Sequence, residues 1–125
     1  MVLFFDKEII TMILDNLISN ALKYTEKGYI RIRAEWITEN GIRYAQLSVE
    51  DTGYGIGQEA LTHIFERYYQ ESGEHQASGT GIGLALVKNL VKLHEGDIQV
   101  KSLPDIGTTF YLRLLAVNTY PKALH

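Results

Sequence analysis

The eleven residues DNLISNALKYT, Asp15 to Thr25, decide how this chain is read. Helical spacing puts Ile10, Ile13, Leu14, Leu17 and Ala21 on one apolar stripe. Asp6 is placed to cap the helix and Gly28 to mark its end, so the predicted span runs to about Tyr24. At 100° per residue, Asn16, Asn20 and Lys23 fall within ~60° of one another at the stripe's border. Two carboxamides and an ammonium beside a buried face suit a hard cation such as Mg²⁺ and a phosphate. Hydrogen bonding of the asparagines to nearby backbone is the plainer alternative.

Outward from that helix, Tyr29 to Thr38 and Arg43 to Glu50 are β-rich runs joined by a turn at Glu39 to Gly41. A short helix carries Ala60, Leu61, Ile64, Phe65 and Tyr68 on one side. After a Gly- and Ser-rich stretch, Ile82 to His94 is predicted as an amphipathic helix stopped by Gly96. Asp97 to Ser102 and Thr108 to Ala116 read as two further strands with a turn at Pro104-Asp105. The expected fold class is α/β (α+β): a two-layer sandwich with about three helices on one face of a mixed sheet of about five strands.

Composition sets the outer limits. The chain has 125 residues, 46% hydrophobic and 22% charged, enough for one domain with a true core. A formal charge of -3 argues against nucleic acid or an acidic membrane as the main partner. With no cysteine, disulfides and thiolate metal sites are excluded. No apolar run approaches the ~18 residues of a membrane span. The start MVLFFDKE is short and acidic for a secretory signal.

Two more clusters carry chemistry. In VEDTGYGIG, Val49 to Gly57, the carboxylate of Asp51 precedes Gly53, Gly55 and Gly57. An ionised carboxylate only accepts hydrogen bonds, so it selects a ligand edge that donates, such as an exocyclic amine. The glycines would let backbone approach a flat ligand. In SGTGIGLALVKNLVKLHEG, Ser78 to Gly96, a Gly-rich loop feeds a helix start, whose free N–H groups suit phosphate. The spacing of Gly79, Gly81 and Gly83 fits neither the dinucleotide fingerprint nor the Walker loop.

Taken in order, NLISNALKYT, DTGYGIG, IFERYYQ, GTGIGLALVK and GTTF resemble the asparagine, first glycine, phenylalanine, second glycine and Gly-Thr boxes of the sensor histidine kinase ATP-binding catalytic domain. The resemblance spans roughly residues 6 to 115; residues 1–118 are taken as the domain and 119–125 as a tail or linker start. It implies ATP and Mg²⁺ as cofactors. Asn20, with Asn16, is implied as the metal partner, and Asn16, Asn20 and Lys23 as the catalytic set. Tyr24 would pack near adenine, Asp51 would accept the adenine amine, and Gly53, Gly55 and Ile56 would lie under the base. Phe65 would anchor the lid. Gly79, Thr80, Gly81, Ile82, Gly83 and Leu84 would meet the phosphates. Thr109 would serve the base side, with Thr108 its rival.

Hydrolases and serine kinases that resemble this fold carry a basic Glu where Asn16 stands. A carboxamide cannot take a proton near neutrality. The resemblance therefore implies phosphoryl transfer to a partner side chain rather than to water. None of His63, His75, His94 and His125 sits in a run like the family's acceptor helix. The expected partners are a dimerisation and acceptor domain, then a response regulator receiver, with no nucleic acid and no direct membrane contact. The expected location is the cytoplasm, with anchoring of a parent protein in the inner membrane left open. Gln70 departs from the basic residue common in that box, and Arg67 is the nearby substitute. An ATP-sensing module, or an ATPase or anti-sigma serine kinase of the same superfamily, is the alternative function.

Overall fold

The computed structural model describes residues 6–66 and 83–115. The first helix, α1 (Lys7–Tyr24), starts where Asp6 accepts from the backbone N–H of Glu8 and Ile9, at 2.9 and 3.3 Å. That side chain satisfies two of the donors a helix start leaves open. The hairpin β1 (Ile30–Glu39) and β2 (Ile42–Asp51) turns through Asn40 and Gly41, whose φ values of 54° and 78° suit a tight two-residue connection. Next come α2 (Gln58–Leu61) and α3 (Gly83–Leu93), then β3 (Asp97–Leu103) and β4 (Gly107–Leu115). The predicted short helix is only one turn long. Beyond Leu61 the N–H of Thr62 and His63 reach carbonyls three residues back, so the chain tightens into turns.

The described strands form one sheet in the order β1-β2-β4-β3, and every neighbouring pair is antiparallel. Four described strands stand where about five were expected, and no neighbouring pair among them is parallel. The passage from β2 through the helices makes β3 run parallel to β2, as a crossover should. The return strand β4 then slots between them, so the parallel pair never touches.

Strand alternation assigns the faces. Ala45, Val49 and Asp51 of β2, and Thr108, Phe110, Leu112 and Leu114 of β4, point to the helix side and are buried. Against them pack Ile13, Leu17 and Ala21 of α1 and Val87 and Val91 of α3. Ile13, Leu17 and Ala21 belong to the stripe predicted from sequence, and Ile10 packs partly buried against the same core; Leu14 is only partly buried and is not among the core residues. No described helix is long and apolar enough to cross a membrane.

The end of α3 departs from the reading. The left-handed residue is Glu95 (φ 56°), not Gly96. Glu95 N–H bonds the Lys92 carbonyl and Gly96 N–H the Val91 carbonyl, the two bonds of a Schellman cap. Glu95 there carries backbone strain and puts a negative charge at the negative end of a helix. Glu95→Gly is expected to stabilise the domain by about 1 kcal/mol in denaturant unfolding. An unchanged or lowered midpoint would refute the strain.

Candidate functional site

The chemistry gathers at one end of the sheet, under the C-terminal end of α1. Pairing register aligns Asp51 with Thr108 and Thr108 with Ser102, a polar row across β2, β4 and β3 on the helix side. All three are buried, Asp51 to 4% exposure. The Ser102 and Thr108 hydroxyls lie 2.7 Å apart, and Ser102 Oγ is 3.1 Å from the Gly107 carbonyl.

Asp51 is held at its own strand's exit. Its Oδ1 accepts the Gly53 N–H at 2.9 Å. Burial pushes the carboxyl above the ordinary aspartate range and the Glu50 charge adds to that. Backbone donors at Gly53 and Thr108 and the Thr25 hydroxyl pull the other way. The Thr25 hydroxyl is buried nearby without a hydrogen bond of good geometry. A raised pKa means that the folded chain binds this proton more tightly than the unfolded one. Stability from Asp51 is therefore greatest in acid and is lost as pH rises from the ordinary aspartate value of 3.8 through the raised one. The unfolding free energy of the wild type minus that of Asp51→Ala is expected to shrink over this window. A difference flat or growing with pH would contradict it. A ligand amine donating to Asp51 would favour the ionised form and offset that cost.

The loop after Asp51 is fastened at each step. Thr52 N–H bonds the Tyr29 carbonyl, Tyr54 N–H the Tyr24 carbonyl, and Ile56 N–H the Ser102 hydroxyl at 2.7 Å. Asp105 N–H closes back on the Tyr54 carbonyl at 2.6 Å. Here the glycines act differently from the expectation. A Cβ on Gly53 would sit 2.1 Å from the Tyr24 carbonyl oxygen, and one on Gly55 2.0 Å from that of Leu103. Both let this loop meet the chain's own backbone, at the end of α1 and at the β3–β4 turn. These contacts fix the loop that carries Asp51's neighbours.

On α1, Asn16 and Asn20 are half-buried and Lys23 is exposed in the last turn. Asn16 Nδ2 donates to the Met12 carbonyl at 2.8 Å, the local backbone bond given as the plainer alternative. That bond occupies the amide nitrogen and leaves Asn16 Oδ1 as the atom that could face a cation. Asn20 makes no side-chain hydrogen bond to another described residue. These donors fit Mg²⁺ in kind, being neutral hard oxygens. Among the described residues no three of His, Asp and Glu come together for a metal. An ion at this edge would take its remaining ligands from phosphate and water.

Other expected residues scatter. Tyr24 is half-buried where α1 ends. Ile56 and Leu84 pack against the core. Phe65 packs edge-on to Phe110, centroids 6.3 Å apart at 82°, with Lys88 Nζ 5.5 Å from its ring. Gly83 opens α3. Gly79, Thr80, Gly81, Ile82, Tyr68, Arg67, Gln70, His75, His125, the lid Tyr69 to Ser78 and the tail 119–125 lie outside the described residues. His94 has its pKa lowered by burial, opposed by the Asp6 charge.

Thr109 was expected on the base side, with Thr108 its rival. It stands opposite Glu50 and Lys101, on the sheet face away from the helices. It lines a cavity of about 250 Å³ at this end of the sheet, whose wall also includes Tyr29, Glu50 and Lys101 as well as Asp51, Ser102 and Thr108. Its neighbour Thr108 is the one beside Asp51, because successive strand residues face opposite ways. Ser102 and Thr25 were missed altogether. The signal for Ser102 was available, since counting back through the Pro104-Asp105 turn pairs it with Thr108.

A buried acid, a polar row and a Gly loop pinned to the end of α1 make up this end of the sheet. The family model described as histidine kinase-, DNA gyrase B- and HSP90-like ATPase matches residues 5–118. The chain belongs to this ATPase family. Among its relatives, the autoinducer 2 sensor kinase/phosphatase LuxQ of Vibrio harveyi is 43% identical over 116 residues, which is 90% of this chain and 14% of LuxQ. The sensor histidine kinase WalK of Bacillus subtilis (strain 168) is 38% identical over 112 residues, 87% of this chain and 18% of WalK. The crystal structure of full-length ShkA in complex with AMPPNP matches with a TM-score of 0.73 at 29% identity, covering 90% of this chain and 22% of ShkA. The chain thus spans less than a fifth of these two curated relatives, and the matched part is the ATPase domain of two-component sensor kinases.

Proposed function

We propose that this chain binds ATP with Mg²⁺ and supplies the γ-phosphoryl group to a histidine on a separate dimerisation and acceptor domain. The observation that carries the reading is Asp51, a buried acceptor at a strand end whose fixed surroundings leave it suited to a donating base edge. In this reading Asp51 takes the adenine amine, and Thr108 replaces Thr109 at the base. Asn20 and Asn16 Oδ1 would hold Mg²⁺, which when bound would neutralise phosphate charge. Lys23 is a flexible point charge for the phosphates. Gly79, Thr80, Gly81, Ile82, Gly83 and Leu84 complete the phosphate side.

Asn16 favours transfer over hydrolysis. Its amide nitrogen is spent on the Met12 carbonyl, and its oxygen is a feeble base at neutral pH. Asn16 therefore offers no base for the proton of an attacking water, which leaves an acceptor imidazole as the nucleophile in this reading. Its nitrogen bonds to the γ-phosphorus as the bridging bond to ADP breaks, with positioning and charge neutralisation lowering the barrier. The phosphohistidine would pass its group to a response regulator receiver, in the cytoplasm.

Two measurements test this. Mg-ATP at roughly a hundredfold its dissociation constant should add about 2.7 kcal/mol to unfolding stability, and Asn20→Ala should remove most of that gain. Labelled γ-phosphate should appear on acceptor helices supplied in trans. An unaltered Mg-ATP affinity in Asn20→Ala would sink the metal assignment. Binding without transfer would favour the nucleotide-sensing alternative.

A further inference from the structure

Among the described strands β1 and β3 are the two edges of the sheet, and β1 is the longer, ten residues paired with β2 through all ten positions without a bulge. Its outer side offers backbone N–H and C=O groups to another strand. Proteins guard such edges with proline, lysine, bulges or covering elements. β1 contains no proline and no lysine. The described helices also leave the middle of its helix-side face open, because α1 and α3 pack over β2 and β3. Ile32 is 54% exposed and Ala34 is exposed, beside half-buried Trp36.

The charges on this edge are complementary to themselves. Arg31 pairs with Glu50, and Glu39 with Arg113. Arg33 forms no ion pair with another described residue, and Glu35 accepts only a long 3.4 Å bond from Gln46. Arg33 and Glu35 flank Ala34 symmetrically. We propose that β1 pairs antiparallel with β1 of a second copy of this chain about a two-fold axis at Ala34, making one continuous eight-stranded sheet. In that register each Arg33 stands opposite the partner's Glu35, and each Ile32 opposite the partner's Trp36.

Neighbouring registers fail on charge. A slip of two residues one way sets Glu35 against Glu35, and the other way Arg33 against Arg33. A slip of one sets charged residues against apolar ones, since it exchanges the faces. The centre at Ala34 makes two attractive cross-strand ion pairs and two apolar pairs at once. The helix layers then lie on the same side of the joined sheet, with the exposed Ile32 and half-buried Trp36 side chains between them. This interface is remote from the nucleotide reading and stands without it, since β1 carries none of the proposed site.

A charge swap tests the register. The 125-residue chain is studied by sedimentation equilibrium over a wide concentration range, with thermal unfolding and Mg-ATP binding as folding controls. Wild type should dimerise reversibly. Arg33→Glu should weaken association on the order of tenfold or more, and the pair Arg33→Glu with Glu35→Arg should restore it. The chain has no cysteine, so Ala34→Cys should give a single disulfide-linked dimer under mild oxidation. A wild type monomeric at every concentration, or a dimer indifferent to Arg33→Glu, overturns the proposal. So does a double variant no better than the single one. Any of these outcomes would leave the edge to a different strand or to none.

Discussion

Asp51→Ala is expected to abolish the preference for adenosine over guanosine nucleotides and to weaken ATP binding ten- to a hundredfold. A hydrogen bond to a charged group contributes about 1.5–3 kcal/mol, and 1.4 kcal/mol is a tenfold change. Asp51 is buried to 4% exposure, so water would replace its contact poorly. The substitution also strips an acceptor from the Gly53 N–H, which costs stability of its own. Asp51→Asn separates the two effects. Its carboxamide oxygen can still accept from Gly53, while its amide group meets the donating base edge with another donor. Competition titrations of adenosine and guanosine triphosphates against both variants are the measurement. If either variant keeps the full preference, the base-recognition role of Asp51 is wrong.

Phe110→Ala is expected to destabilise the domain by about 3–5 kcal/mol in chemical denaturation, enough to unfold much of a domain of ordinary stability. Phe110 is 2% exposed, in the middle of β4, opposite Val49 on one side and Val100 on the other. The Phe65 ring meets it edge-on. Truncation leaves a cavity bordered by three strands and the turn after α2, with little freedom to collapse. Phe110→Leu should recover more than half of the loss, because it refills most of the volume. A loss under about 1 kcal/mol for the alanine variant would show that this position is not central to packing.

The two experiments probe different parts of one design. Phe110 and Asp51 point to the same side of the sheet, one register step apart, Val49 opposite Phe110 and Asp51 opposite Thr108. The apolar core therefore runs directly into the polar row. Any nucleotide bound there would rest on side chains that also hold the sheet to the helices. That arrangement favours a preformed base pocket, and it makes recognition sensitive to core packing.

Much of this was legible in the linear order of residues. The stripe Ile13, Leu17, Ala21 marks a helix with one buried face because 3.6-residue spacing leaves no other arrangement for it. Asp6 reads as a cap, and Asn40-Gly41 as a tight turn, because both depend on groups only a few residues away. The five boxes in series pointed to the ATPase family matched over residues 5–118. Asp51 was selected by type and setting, before its burial was known.

What the tertiary structure alone decided depends on register between distant segments. Thr108 rather than Thr109 joins Asp51, since a strand's two faces are set by which residue pairs with which. Gly53 and Gly55 exist to pass the Tyr24 and Leu103 carbonyls, contacts made across 29 and 48 positions of chain, and no local pattern announces them. The antiparallel sheet follows from β4 entering between β2 and β3, a choice of packing and not of propensity. Local chemistry is written in neighbouring residues; which faces meet is fixed only when non-local pairing buries one side of each element and excludes the alternatives.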